Sequence, residues 1–206
     1  MKGVAVYMEG GGNSADDKSL LRQGMSTFLS SLREAARRKR LAWKVVPCGS
    51  RNRARDAFLN ANKTSPEAFN VLLVDSEVPV ARPSFPRTHL KQHDGWDLTE
   101  IVDDAIHLMI QIMETWIVAD PDAVATYYSQ HFLKTALPTD QDLERVGKEQ
   151  IYGSLQHTTL KTQKKEYRKI RDAAALLGMI DPVIVRRRCP SCDRLFTTVT
   201  QRIDAG

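Results

Sequence analysis

Three short apolar runs, "GVAVYM" (3–8), "LAWKVVPCG" (41–49) and "FNVLLVDSE" (69–77), are separated by stretches whose apolar residues recur at helical spacing. That alternation restricts the chain more than any other feature. Each run has the length of a strand, and a strand–helix–strand order predicts parallel strands in one sheet, right-handed crossovers and helices on both faces. The first crossover carries Leu21, Met25, Phe28 and Leu32 along one helix face. It ends in Arg37, Arg38, Lys39 and Arg40, cations that complement the C-terminal end of a helix dipole. The second crossover, "SRNRARDAFLNAN" (50–62), holds Arg51, Arg53 and Arg55 in its first turns. Arginines there oppose the dipole, so an anionic neighbour would account for them.

Beyond the third run the pattern loosens. Residues 78–100 contain three prolines and a glycine without a clear period, which predicts a long loop. Its His89, Lys91, His93, Asp94, Trp96 and Asp97 read either as a lid over substrate phosphates or as an ordinary surface loop. "AIHLMIQIMETW" (105–116) is apolar enough for a fourth strand or a buried helix, and is read as a strand to about Met113. A helix follows it, with Asp120 as N-cap and Pro121 in the first position. From residue 134 the composition turns to polar helical segments and a short tail. The expected organisation is an α/β domain over 1–133 with a helical extension over 134–206 packed on it. Within that extension, a helix over 160–178 would gather Lys161, Lys164, Lys165, Arg168 and Arg171 opposite Tyr167, Ile170, Ala174 and Leu177. Such a face either binds backbone phosphates or is simply solvated.

With 206 residues, 42% of them apolar, the chain can bury an ordinary core. No apolar run approaches the ~20 residues of a membrane span, and the start lacks the pattern of a secretory signal, so a cytoplasmic address is expected. Cys48, Cys189 and Cys192 are too few for a disulfide scaffold. Cys189 and Cys192 form a C-x2-C pair, but a structural zinc needs four ligands and no second pair follows; they are read as reduced thiols. A net charge of +5 permits a polyanionic partner. "EGGGNSADDKS" lacks the G-K-[ST] ending of a phosphate loop, which excludes ATP hydrolysis by this route.

The strand ends carry the chemistry. Glu9 closes the first run ahead of Gly10, Gly11 and Gly12, and Asp75 and Glu77 close the third. Strand alternation would put Asp75 and Glu77 on one face, and in a parallel sheet both strand ends share an edge. Carboxylates gathered there repel unless one takes a proton or a hard cation such as Mg²⁺ sits between them. Glu114, after the fourth apolar segment, would either reach the same cation or be a buried acid paired with an arginine.

"MEGGG" and "LLVDSE" together resemble the Toprim signature, a glutamate–glycine after the first strand and an acidic D-x-D or D-x-E after a later one. Further blocks, "VVPCGSRNRARDAF", "HLKQHDGWD", "HLMIQIMETW" and "KKEYRKIRDAAALLGMIDP", resemble a family of small bacterial Toprim-like proteins often encoded beside an ABC-type ATPase. The likeness runs to about Pro182. It implies a Toprim-like (Rossmann-like), mainly parallel sheet and Mg²⁺-dependent, or Mn²⁺-dependent, phosphodiester hydrolysis of DNA or RNA. Glu9 would then be the general acid or base, and Asp75 and Glu77, with Glu114 as a further candidate, the metal ligands. Gly10, Gly11, Arg51, Arg53, Lys165 and Arg168 are the candidate substrate contacts. Many Toprim nucleases carry an acid a few residues after the glutamate; here position 13 is Asn, and Asp16 and Asp17 come later. The resemblance also implies an ABC-type ATPase partner and a role in phage defence, with self-association a further expectation. The rival expectation is a non-catalytic adaptor or inhibitor of that ATPase.

Overall fold

A computed structural model describes residues 1–81 and 85–206; Arg82, Pro83 and Ser84, part of the expected 78–100 loop, lie outside the described residues. The three apolar runs form β1 (Gly3–Met8), β2 (Ala42–Pro47) and β3 (Ala68–Asp75), and a fourth strand, β4, spans Ile106–Met109. All pairings are parallel, in the order β2-β1-β3-β4. The chain is an α/β protein with a parallel sheet flanked by helices.

The strand period of two sorts the core. Val4, Val6 and Met8 of β1, with Val45, Val71 and Leu73, face one apolar cluster, while Leu72, Val74, Ile106 and Leu108 face the other. Helices α1 (Ala15–Phe28) and α2 (Ser30–Arg38) cover the first face, and α3 (Arg51–Thr64) and α4 (Pro86–Asp94) the second. Ser14 and Ser50 cap α1 and α3 by accepting from the N–H groups of Asp17 and Arg53.

Helix α4 corrects the expectation of a plain loop over 78–100: Pro86 supplies its first turn, and Gly95, in the left-handed region, ends it. The fourth strand also stops four residues short of Met113. A turn that includes a cis Ile110–Gln111 peptide follows it, and Glu114 opens α5 (Glu114–Val118) instead of closing a strand. Next comes α6 (Pro121–Tyr128), its N-cap Asp120 accepting from Ala123 N–H as expected.

Four α-helices lie beyond residue 134 among the described residues: α7 (Lys148–Thr159), α8 (Arg171–Leu177), α9 (Pro182–Arg188) and α10 (Pro190–Ala205). The expected helix over 160–178 is therefore corrected to α8 alone. Thr159 and Thr162 hydroxyls bond the carbonyls of Leu155 and Thr159, and Thr159 Oγ1 also accepts from Tyr167 N–H, so side chains take the place of a continuing helical ladder. Nor is the tail short: α10 sends Leu195, Phe196, Val199 and Ile203 into the same cluster as β1 and α1. No helix among the described residues is long and apolar enough to cross a membrane.

Candidate metal centre

The strand order departs in opposite directions from β1 at its two neighbours, β2 and β3, so the carboxyl edge of β1 and β3 is a topological switch point, where open α/β sheets leave a crevice for ligands. Glu9 follows β1 there, its N–H still bonded to Leu73 O at 3.0 Å. Asp75 is the last residue of β3, and Glu77 sits two residues on with φ +63°, its N–H held by Gln111 O at 2.9 Å. The alternation argument is corrected in one respect: the turn, and not a continuing strand, aims Glu77. One carboxylate oxygen from each of Glu9, Asp75 and Glu77 lies within 4.8 Å of the other two.

Protein donors reach Glu9 and Glu77 but leave one buried oxygen of Asp75 without a partner. Glu9 Oε2 accepts from Asp75 N–H at 3.2 Å and lies 3.6 Å from Arg51 Nη1. Burial nevertheless pushes the Glu9 carboxyl up to about 7, against the pull of Arg51 and that N–H and with the push of Glu77. Asp75 is 6% exposed and its Oδ1 has no hydrogen-bond partner. Burial first, then the charges of Glu9 and Glu114, raise it well above the usual carboxylate range. Glu77 reaches solvent and accepts from Lys148 Nζ at 2.7 Å.

Glu114 is fully buried, close enough for its charge to act on Asp75, and outside the three-acid group. Its Oε1 accepts from Tyr167 O–H at 3.0 Å, Oε2 has no hydrogen-bond partner, and burial raises its pKa. The arginine expected as the alternative partner of Glu114 is replaced by this tyrosine. Sequence reasoning missed two residues: Lys148, at the start of α7, and Lys169, just before α8. Burial opposes the Lys169 ammonium, but Glu114, Asp75, Glu77 and Glu9 together outweigh it and hold its pKa up. Nothing local in the sequence marks either lysine, since each meets the acids only through the tertiary fold.

Arg51 is the best placed of the expected substrate contacts. It donates to Asp75 O and, at 2.7 Å, to Asp94 Oδ2, while its guanidinium lies 5.3 Å from the Trp96 ring centre. The anionic neighbours expected at the start of α3 are thus Glu9 and Asp94. Arg53 donates to Asn13 Oδ1 at 3.1 Å. Gly10 is bridged to Gly49 by reciprocal backbone bonds of 2.8 and 2.9 Å, and Gly11 is buried with φ +81°, so these glycines clasp the loops after β1 and β2. Lys165 is exposed, in a turn with φ +63°. Arg168 is engaged by Asp172 at 2.8 and 3.1 Å, and therefore anchors α8. Of the candidate lid, His89 is buried with Nε2 3.1 Å from Ser76 O, and its ring lies 4.5 Å from that of His93, beside the Asp75–Glu77 turn. Cys189 and Cys192 are buried at the start of α10.

The donor set is all oxygen, the choice of a hard divalent cation, and Asp75 brings to it a buried carboxylate that the protein leaves partly unpartnered. The residues present therefore fit Mg²⁺ or Mn²⁺. Residues 8–200 match the family model described as Domain of unknown function (DUF4276). No curated protein and no solved structure matches the chain.

Proposed function

The chain belongs to the DUF4276 family, and we propose that it is a divalent-metal-dependent hydrolase of phosphodiester bonds in nucleic acid. One observation carries the reading: three carboxylates converge within 4.8 Å at a switch point, and one of them keeps a buried oxygen without a partner. The Toprim resemblance of "MEGGG" and "LLVDSE" supports the same chemistry.

Asp75 and Glu77, with Glu9 beside them, would hold the cation, which when bound supplies charge neutralisation at the phosphoryl oxygens. The protein's own groups then divide the remaining work. Glu9, at the edge of that group, is placed to take a proton from an attacking water. Arg51, beside it, offers a two-point guanidinium contact to a phosphate once it releases Asp94. Lys148 and Lys169 supply positive charge where the polyanion approaches the acidic edge. On the resemblance alone we add an ABC-type ATPase as working partner and phage defence as setting.

The test is cleavage of labelled DNA and tRNA by the purified chain with Mg²⁺, Mn²⁺ or EDTA, alone and with an ATPase encoded alongside. Divalent-dependent cutting that falls at least about 100-fold in Glu9→Gln is expected. No cutting in any combination, with the ATPase bound equally by wild type and Glu9→Gln, would replace this reading by that of a non-catalytic adaptor.

A further inference from the structure

Of the three clustered acids, Glu77 alone sits at positive φ, +63°, a region that a glutamate enters at a cost and keeps only where its surroundings hold it. The hold is visible along the backbone, group by group. Asp75 N–H goes to Glu9 Oε2 at 3.2 Å, and Asp75 O accepts from Arg51. Ser76 N–H goes to Met109 O at 3.0 Å, Ser76 O accepts from His89 Nε2 at 3.1 Å, and Glu77 N–H goes to Gln111 O at 2.9 Å. From the amide of Asp75 to that of Glu77, every backbone donor and acceptor is engaged.

Two of these bonds matter most for where Glu77 points. Ser76 C=O and Glu77 N–H are the two ends of one rigid peptide plane. With one end on His89 and the other on Gln111 O, the plane cannot rotate, and its orientation sets φ of Glu77 and so the direction of its side chain. Freed at the carbonyl, the plane could turn, Glu77 could relax to negative φ, and its carboxylate would swing away from Glu9 and Asp75.

Three side chains share in holding this turn, and two of them, Glu9 and Arg51, already belong to the proposed chemistry. His89 does not. It lies on α4, 3% exposed, with its own N–H on Phe85 O at 3.2 Å and the His93 ring packed 4.5 Å away, one helical turn on. A carbonyl oxygen has no proton to give, so Nε2 is the donor and the ring is committed to Ser76. A histidine so placed is a strut beneath the turn and not a lid above it.

We propose that His89 is a positioning residue for the metal centre: its bond to Ser76 O keeps Glu77 aimed at the cation, although His89 itself touches neither cation nor substrate. The proposal rests on the reading of Glu9, Asp75 and Glu77 as that centre.

Two measurements on the full chain test it: exchange of the Glu77 amide hydrogen in EDTA, and Mn²⁺ titration followed by electron paramagnetic resonance. His89→Leu fills the space and donates nothing, whereas His89→Gln returns an N–H to the place of Nε2. In His89→Leu the Glu77 amide should exchange at least about tenfold faster and Mn²⁺ should bind at least about tenfold more weakly, the loss typical of a residue that orients a metal ligand. His89→Gln should stay within about threefold of wild type in both. His89→Asn, whose amide is too short to reach Ser76 O, should behave as His89→Leu and stands in for it where the leucine variant does not fold. A role in stability alone would lower the melting temperature of His89→Leu and leave its Mn²⁺ affinity at the wild-type value, which would overturn the proposal. Equal losses in His89→Leu and His89→Gln, or an unaltered Glu77 amide, would do so too. Those outcomes leave the metal centre standing; absence of Mn²⁺ binding by wild type would remove both.

Discussion

Asp75 is the residue with least support from the protein around it. It is 6% exposed, Oδ1 has no partner, and Glu9 and Glu114 both press on its charge. An ionised carboxylate in that place weakens the fold unless a cation joins it. Asp75→Asn removes the charge and keeps the shape. Thermal melts in EDTA should therefore place Asp75→Asn several degrees above wild type, and added Mg²⁺ should raise wild type alone. A variant that melts below wild type in EDTA would contradict this. Two single residues also set opposing pH limbs. Glu9 titrates near 7 in the folded chain against 4.5 for an ordinary glutamate, so between those values the unfolded chain has already lost the proton and stability falls as pH rises. His107 has the reverse sign. Its Nε2–H donates to Asp104 O at 2.9 Å and its Nδ1 accepts from Arg194 at 3.0 Å, while burial and then Arg194 lower its pKa to about 3. Below about 6.5 the unfolded chain gains a proton that the folded one refuses, and stability falls as pH falls. Urea unfolding at about pH 7 and pH 5 should show Glu9→Gln losing more on acidification than wild type, and His107→Gln losing less. Equal pH responses in all three chains would refute the assignment.

At the scale of elements, α8 is held by contacts that leave little tolerance. Asp172 is fully buried and accepts from Tyr127 at 3.0 Å, Tyr128 at 3.2 Å and both arms of Arg168. Burial alone would raise its carboxyl; these donors outweigh it and hold it below the usual range. Asp172→Ala leaves the Tyr127 and Tyr128 hydroxyls without their acceptor, while Arg168 turns to solvent, and should cost about 1–3 kcal/mol in urea unfolding. A loss below about 1 kcal/mol would show that the cluster is peripheral. Gly24 of α1 makes the companion case. A Cβ there would fall 2.0 Å from Ala174 O, so Gly24→Ala, which favours an isolated helix by about 1 kcal/mol, should instead lower the melting temperature by forcing α1 and α8 apart. An unchanged or higher melting temperature would contradict that contact. The sheet's edges are guarded as well: Arg22 takes Val45 O and Pro47 lacks an N–H on β2, while Arg194 takes Ile106 O on β4. The first three strands were legible because each apolar run is bounded by glycine, proline or charge. The end of β4 was misplaced because Ile110, Ile112 and Met113 keep the segment apolar through a turn, and periodicity does not separate a strand from the helix that follows it. The 160–178 helix was misread because Tyr167, Ile170, Ala174 and Leu177 do share a helical period; what broke it, the Thr159 hydroxyl bonded to Tyr167 N–H, is a tertiary choice.

For the whole molecule, the site is assembled from both ends of the sequence. Glu9 and Asp75 come from neighbouring strands, and their meeting follows from the parallel register, which is why a sequence can reveal them. Lys148, Tyr167 and Lys169 arrive from the other end of the chain, brought by helices whose core residues pack with β1 and α1 in one cluster. Their part was illegible because it depends on docking and not on local pattern. A single assembly of acids ringed by Arg51, Lys148 and Lys169 is the central claim, and it concerns a cation. Its most direct measurement is titration of Mn²⁺ into the purified chain, followed by electron paramagnetic resonance, with Asp75→Asn in parallel. Saturable loss of the free-ion signal by wild type, displaced by Mg²⁺ and weakened at least about tenfold in a folded Asp75→Asn, is the expected result. Equal binding by the two chains, or none by wild type, would contradict it.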